Sequence, residues 1–493
     1  MNCPKSLQLS RHFLYHHAMS RPLQIAESSV VRRLFGPWLL VWGLWAGIVA
    51  GSAPLFLSTP EKTEWAWVYR RAALRMQAGE PVNVIEPVAY AYPPAMAFLT
   101  VPLSNGSPRL GALAWLAINA AALAVLMTGC QRLCGGPRPF EPLDGRWLLV
   151  FITAMLLNLR YTIAPLQHQQ FDLVIAALVV GGCWALAAGR KAAAGISIGT
   201  AAAMKCTPLL FLPWLLWRRE WKAAALLLTL AVGLNVLPDA VFPQTNGRRY
   251  GQDWIDSFAA APARQGPGQW FTEPSQNQSL AGTMARWFGR PSNAGPSEID
   301  APGAADDRAA IDNDRSAERD GENARLLRII VYGTSFLLLL TTVLVCGRPL
   351  KPLGQTPAGP PTSDAAGQRL DAGSHANADR HRPRPTLQLA IESSAVCCLM
   401  LLLSPMTGKA HFVVMLLPCF LLARLAVLEG DRRLWFVLAL MAVAGPLTTK
   451  GILGRDLGGV VLDWGLPTLY LVLGLVGSWL AVRYRDQPMI NDA

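Results

Sequence analysis

Four stretches of the chain, 36–57, 223–242, 329–346 and 464–482, are apolar over close to the ~20 residues that a helix needs to cross a ~30 Å hydrocarbon core. A soluble helix of that length alternates apolar and polar faces, and these stretches do not. Composition points the same way, with 52% of the 493 residues hydrophobic and 15% charged. The expected fold is an all-α polytopic membrane protein. Its segments lie near 36–57, 108–130, 146–165, 171–188, 193–204, 207–217, 222–242, 327–346, 387–405, 409–428, 434–448 and 459–482, about twelve in all.

The net charge of +12 comes from basic residues scattered in short clusters between apolar segments. That arrangement signals topology and not a nucleic-acid patch. With a cytoplasmic N-terminus, "CQRLCGGPRP", "GRK", "RREWK", "GRPLK", "EGDRR" and "RYRDQ" all fall on the inner side, a coherent positive-inside pattern. Lys5, Arg11, Arg21, Arg32 and Arg33 precede the first apolar helix, which reads as a retained span and not a cleaved signal. None of the nine Cys falls in 243–325, so no disulfide framework, metal ligand set or cofactor is expected.

The resulting organisation is a basic cytoplasmic tail (1–35), an N-terminal membrane module (36–242) with a first outer loop at 58–107, and a long outer loop (243–326). A C-terminal module (327–482) with an inner loop at 347–386 and a cytoplasmic tail (483–493) follow. The inner loop and "PSEIDAPGAADDRAAIDNDRSAERDGENARL" have the polar, low-hydrophobicity composition of flexible chain.

This threading brings polar groups from distant parts of the chain to the outer face. From Glu64 to Gln77, Trp65, Val68, Ala72 and Met76 recur at three and four, the pattern of an amphipathic helix at the interface. Glu64 at its start is also where a helix dipole favours a carboxylate. "YAYPP" makes the next piece rigid, since each proline fixes φ and removes a donor. "QHQQFDLV" sets three amides, one imidazole and a carboxylate at the outer end of a span; Gln170 and Asp172 could hold substrate hydroxyls, or the stretch could be an ordinary helix N-cap with Asp172 in the first turn. The segments on either side of Lys205 and Pro208 are too short to cross as ideal helices, which predicts a broken or re-entrant hairpin. A lysine at such a break is a candidate functional residue, or one snorkelling to the interface. Lys409 and His411 in "SPMTGKAH" could bind phosphate or anchor at headgroups. Asn105-Gly106-Ser107 and Asn277-Gln278-Ser279 both have the form of glycosylation acceptors.

Taken together, these motifs resemble glycosyltransferase family 87, polyprenol-phosphate-mannose-dependent α-mannosyltransferases with the GT-C membrane fold. "EWAWVYRRAA", Gly79 and Tyr92-Pro93-Pro94 look like that family's acidic-aromatic, Gly and Tyr-Pro-Pro sequence. "QQFD" looks like its Gly-Gln-x-Asn, with Gln170 matching and Gln169 and Asp172 departing. Lys205 with Pro208 and Asn277 to Ser279 match its Lys-x-x-Pro and Asn-Gln-Ser, and Ser404-Pro405 looks like its Ser-Pro, with only His411 retained of the His pair that follows. The resemblance implies a GT-C-like bundle and transfer of mannose from a polyprenyl-phosphate donor to a lipid-linked or glycan acceptor. The catalytic carboxylate would be Glu64, where the family usually has Asp, and Glu61 is a nearby competitor. Tyr69, Arg70, Arg71, Tyr92, His168, Gln169, Gln170, Asp172, Lys205, Asn277, Gln278, Lys409 and His411 would bind donor or acceptor. A lipid phosphate leaves without a proton donor if cations hold its charge, and one base suffices for direct displacement with inversion. The expected setting is the plasma (inner) membrane, with both termini cytoplasmic and the site outside. The rival from another class is a secondary transporter, which a broken helix also suits; transporters of that build show two corresponding halves, and no second copy of "YAYPP" or "AMKCTP" is present. A third reading is an assembly protein with an inactive glycosyltransferase fold.

Overall fold

The computed structural model describes residues 21–58, 60–84, 90–259, 268, 274–288, 307–347, 387–448 and 450–484. Among them every regular element is helical, as an all-α polytopic membrane protein requires. In chain order the α-helices are α1 Arg21–Leu57, α2 Arg71–Gln77, α3 Pro94–Ser104, α4 Pro108–Leu133, α5 Gly145–Gln167 and α6 Asp172–Ala187. Next come α7 Lys191–Met204, α8 Phe211–Trp217, α9 Trp221–Val241, α10 Tyr250–Trp254, α11 Leu280–Phe288 and α12 Asp307–Cys346. The chain finishes with α13 Leu387–Leu402, α14 Leu416–Leu428, α15 Arg432–Ala444, α16 Lys450–Asp463 and α17 Leu466–Ala481.

Of the described helices, seven are long and apolar enough to cross a membrane, or eight if the bent pair Arg432–Thr448 and Gly451–Asp463 counts as one span. Others, including α6 and α13, are shorter apolar helices. α13 is buried along its whole length and forms the centre of the bundle.

Three expectations change. The stretch expected to cross at 459–482 is two helices, α16 and α17, separated by Gly465 at φ +72°. A Cβ on Gly465 would lie 2.4 Å from the Thr283 methyl carbon, so only glycine lets the chain turn there against α11. The "DRAAIDNDRSAERDGENARL" run, read as flexible, is helical and continuous with the apolar part of α12. It holds four Ala and four Arg, both good helix formers, and extending an existing helix costs far less than nucleating one. Similarly α1 begins at Arg21, upstream of residue 36 where the tail was expected to end. The expected inner loop lies outside the described residues from 348 onward.

Two local devices position the site. Gly195 and Gly199, one turn apart in "GISIG", face α9 so closely that a Cβ would lie 2.5 Å from Ala223 O and 2.9 Å from Leu227 Cα, respectively. Small residues at this spacing let two helices touch backbone to backbone in lipid. They fix α7, and with it the break that carries Lys205. Gly79 (φ +68°) lets the end of α2 meet the chain after α9: Thr245 N donates to Gly79 O at 2.9 Å, and a Cβ would lie 2.9 Å from Pro243 O. Gly195→Leu should therefore destabilise the folded chain by about 1–3 kcal/mol through overpacking, read as a lower midpoint of thermal unfolding in detergent, while Gly43→Leu, which faces open space, should leave it unchanged.

Candidate active site

Three interruptions of helical structure meet at one place. The first is the turn between α5 and α6. Gln169 adopts φ +55°, uncommon for a residue with a side chain, and its carbonyl accepts a 2.7 Å hydrogen bond from Trp115 Nε1 of α4. The second is the break after α7, where Lys205 is extended (φ −154°, ψ 125°) before a 3-10 turn at Thr207–Leu210. The third is the 3-10 segment Lys409–Met415 that leads into α14.

At their meeting point Lys205 Nζ donates to Asp172 Oδ1 at 2.7 Å, and His411 Nε2 lies 3.9 Å from the same oxygen. The pair is buried, with Asp172 4% exposed and Lys205 14%. Asp172 is not an N-cap: that position is Phe171, and it makes no side-chain capping bond. Asp172 does begin α6, and its carboxylate pairs with Lys205 instead of capping the helix. Its Oδ2 has no hydrogen-bond partner. His411 Nδ1 accepts from Gly408 N at 3.1 Å, which leaves Nε2 to carry the proton toward Asp172. The three side chains, with Thr207, Met400 and Ser404, line a cavity of about 10 Å³, room for about one water.

Beside this triad stands Glu64. Its Oε1 is 3.7 Å from His168 Nδ1, and the Gln170 amide hydrogen-bonds its carboxylate. Desolvation pushes the Glu64 carboxyl up to about 7; the Gln170 bond opposes this and the Asp172 charge adds to it. His168 is held below its ordinary value by desolvation and by the Lys409 ammonium beside it. An aromatic wall closes the other side. Tyr69 and Tyr92 are joined hydroxyl to hydroxyl at 3.3 Å, and Tyr92 packs edge-on to Phe171 with ring centroids 4.9 Å apart. Trp65 stacks on Trp115 at 4.9 Å. Trp65, Val68, Ala72 and Met76 are all buried, so this amphipathic face packs against protein.

Glu64, Tyr69, Tyr92, His168, Gln170, Asp172, Lys205, Lys409 and His411 therefore belong to one cluster. Gln169 is a corner of its backbone. Arg70 points away and donates to Ser104 O at 3.1 Å. Among the described residues, Arg71 makes no hydrogen bond or ion pair with this cluster. Asn277 and Gln278 lie elsewhere, as a clamp: Asn277 Nδ2 donates to Pro405 O at 2.9 Å, Asn277 Oδ1 accepts from Thr407 N at 3.1 Å, and Gln278 Nε2 donates to Leu462 O at 2.9 Å. Trp115 and Phe171 were missed from sequence because each sits in or beside an apolar run with nothing to separate it from packing. Asn235 was missed as well. Its Oδ1 accepts from Ala95 N at 2.9 Å and its Nδ2 donates to Ala203 O at 3.1 Å, so it ties the start of α3 to the end of α7. A lone Asn in an apolar helix is a signal that could have found it.

Removing one member of the Asp172–Lys205 pair strands a buried charge. Lys205→Met alone should cost about 3–5 kcal/mol, whereas Asp172→Leu with Lys205→Met should cost clearly less. Thermal unfolding of the two variants in detergent measures the difference.

Residues 90–303 match the family model described as Glycosyltransferase family 87. The matched segment contains Tyr92, Gln170, Asp172 and Lys205; Glu64 precedes it, and Lys409 and His411 follow it. A curated relative from Mycobacterium tuberculosis (strain CDC 1551 / Oshkosh), a polyprenol-phosphate-mannose-dependent alpha-(1-2)-phosphatidylinositol pentamannoside mannosyltransferase, is 27% identical over 252 residues. That alignment covers 50% of this chain and 53% of the relative, so the chain spans about half the length of the curated relative it matches. No solved structure matches. The family that the motifs resemble, glycosyltransferase family 87, is the one that the comparison returns over residues 90–303 of this multi-pass membrane protein.

Proposed function

We propose that the chain is a membrane glycosyltransferase that moves mannose from a polyprenyl-phosphate donor to a hydroxyl of a lipid-linked or glycan acceptor. The site faces outward from the plasma (inner) membrane, and both termini are cytoplasmic. The observation that carries the reading is the adjacency of Glu64, with its carboxyl pushed up to about 7, to the Lys205–Asp172–His411 triad. The family match and the relative's name supply the donor class and the sugar.

In this reading the acceptor hydroxyl attacks the sugar's anomeric carbon from the face opposite the phosphate. A new C–O bond forms, the bond from that carbon to the phosphate oxygen breaks, and the hydroxyl proton passes to Glu64. A base whose pKa lies near the working pH is well matched to that transfer. The leaving polyprenyl phosphate takes the electron pair and gains negative charge. Lys205 and Lys409 meet that charge as cations and His411 Nε2–H as a hydrogen-bond donor, and preorganised groups of this kind in a partly desolvated site stabilise it more than water would. Asp172 acts through Lys205, fixing its ammonium in place. Tyr69, Tyr92 and Phe171 offer an aromatic wall for the flat apolar face of a sugar.

Glu64→Gln should lower kcat for mannose transfer from a synthetic polyprenyl-phosphate donor by about 10²–10⁴-fold with expression intact; unimpaired transfer would remove Glu64 as the base, and transfer from a nucleotide sugar alone would remove the donor assignment. The pH profile has a definite sign. A base must be deprotonated, so the rate should rise with pH through about 7 and level off above it. Orientation is checked by thiol labelling. Asn105→Cys, on the Glu64 side of the bundle, should react with an impermeant reagent from outside, and Arg219→Cys at the other end only after the membrane is opened.

A further inference from the structure

At the end of the bundle away from Lys205, α12 stands off from its neighbours. Leu326, Ile329, Phe336 and Leu344 are more than half exposed, and a tie to α17 is the 3.2 Å bond from Trp479 Nε1 to Thr342 Oγ1. The stand-off leaves a groove of about 240 Å³ between α8, α12 and α13, lined by Leu210, Trp214, Trp217, Leu339, Val396 and Leu399 among others.

Three observations select an occupant. First, the interior is apolar, and Glu392, the charged residue in its lining, is saturated. Its Oε1 accepts from Gln388 Nε2 at 2.6 Å, and its Oε2 from Arg218 at 2.6 Å and Trp214 Nε1 at 2.8 Å. A ligand's polar head gains nothing there, and an apolar cavity of this kind does not hold water. Second, the groove lies beside a helix that is long and apolar enough to span the membrane and only 11% buried by protein, so lipid is the expected neighbour on that side. Third, its mouth is dressed for a headgroup. Trp217 and Gly347 line that end, and Trp217 and Trp221 are 48% and 63% exposed, the placement of rings at a membrane interface. Arg219 and Lys222 are exposed beside them. Arg219 makes the corner between α8 and α9 at φ +57°, a conformation uncommon for a residue with a side chain. Neither cation has an ion-pair partner among the described residues, and exposed cations beside an interfacial ring attract anionic lipid.

We infer that this groove holds one acyl chain of an anionic glycerophospholipid of the bilayer, with its phosphate at Arg219 and Lys222. The site is separate from the Glu64 cluster and does not depend on the transfer reaction proposed above. It makes a bilayer lipid part of the packing between α12 and the rest of the bundle.

Native mass spectrometry of the full chain, released from nanodiscs containing equal phosphatidylglycerol and phosphatidylethanolamine, tests this. The expected result is one retained phosphatidylglycerol per chain, preferred about tenfold. Arg219→Gln with Lys222→Gln should erase the preference, and Leu339→Trp should expel the lipid. Equal retention of the two lipids, or full retention by Leu339→Trp, would overturn the assignment. Should Leu339→Trp not fold, wild-type chain with phosphatidylglycerol carrying a photoactivatable group on its acyl chain decides the matter. Cross-links at Val396 or Leu399 are expected, and cross-links confined to the exposed Ile329 and Phe336 would refute the groove. Inorganic phosphate should not displace the lipid, because the chain and not the headgroup alone holds it.

Discussion

The structure depends most on the 2.7 Å contact between Lys205 and Asp172. Surrounded by apolar helices, neither charge can be left alone without a penalty of several kcal/mol. The contact exists only if the start of α6 and the end of α7 reach the same depth. Meeting that condition requires α7 to stop short and α9 to close on it through Gly195 and Gly199, while the 3-10 segment before α14 brings His411 to the same carboxylate oxygen. Four helices are thereby set by one ion pair. Asp172 Oδ2 is left without a donor, so the pair has capacity for a further hydrogen bond at the place where the three interruptions meet.

Glu64 shows how the surroundings divide labour between two carboxylates in one cluster. Asp172 faces an ammonium and a ring N–H. Glu64 faces an amide, the His168 imidazole at 3.7 Å and the Asp172 charge, with no Lys or Arg within salt-bridge distance among the described residues. The first environment favours the ionised form, whereas in the second desolvation and a like charge push the carboxyl toward neutrality. Groups whose environments separate them in this way are suited to distinct roles.

Much of this was legible in the sequence because the strongest signals are local. Apolar length gave the helices, and a lysine and a proline in an apolar run marked the break at Lys205. The motif order pointed to the family whose model matches residues 90–303. Other features depend on three-dimensional packing and leave no local trace. Asn277 and Gln278 read like substrate ligands, yet their amides are consumed by backbone groups of Pro405, Thr407 and Leu462, far along the chain. The apolar run through Trp464 looks continuous, and only the closeness of Thr283 to Gly465 shows why it must break. Amphipathic periodicity from Trp65 to Met76 identified an apolar face correctly but was read as lying at the membrane interface, whereas all four residues are buried in the bundle.

The Asn277 clamp has a mechanical consequence. One side chain grips backbone atoms of Pro405 and Thr407, immediately before Lys409 and His411, while Arg286 of α11 donates to the carbonyl of Asn277 itself. The segment that carries Lys409 and His411 is thereby tied through Asn277 to α11. A displacement of α11 would reach, through that one side chain, the backbone just before His411, whose ring lies 3.9 Å from the Asp172 carboxylate.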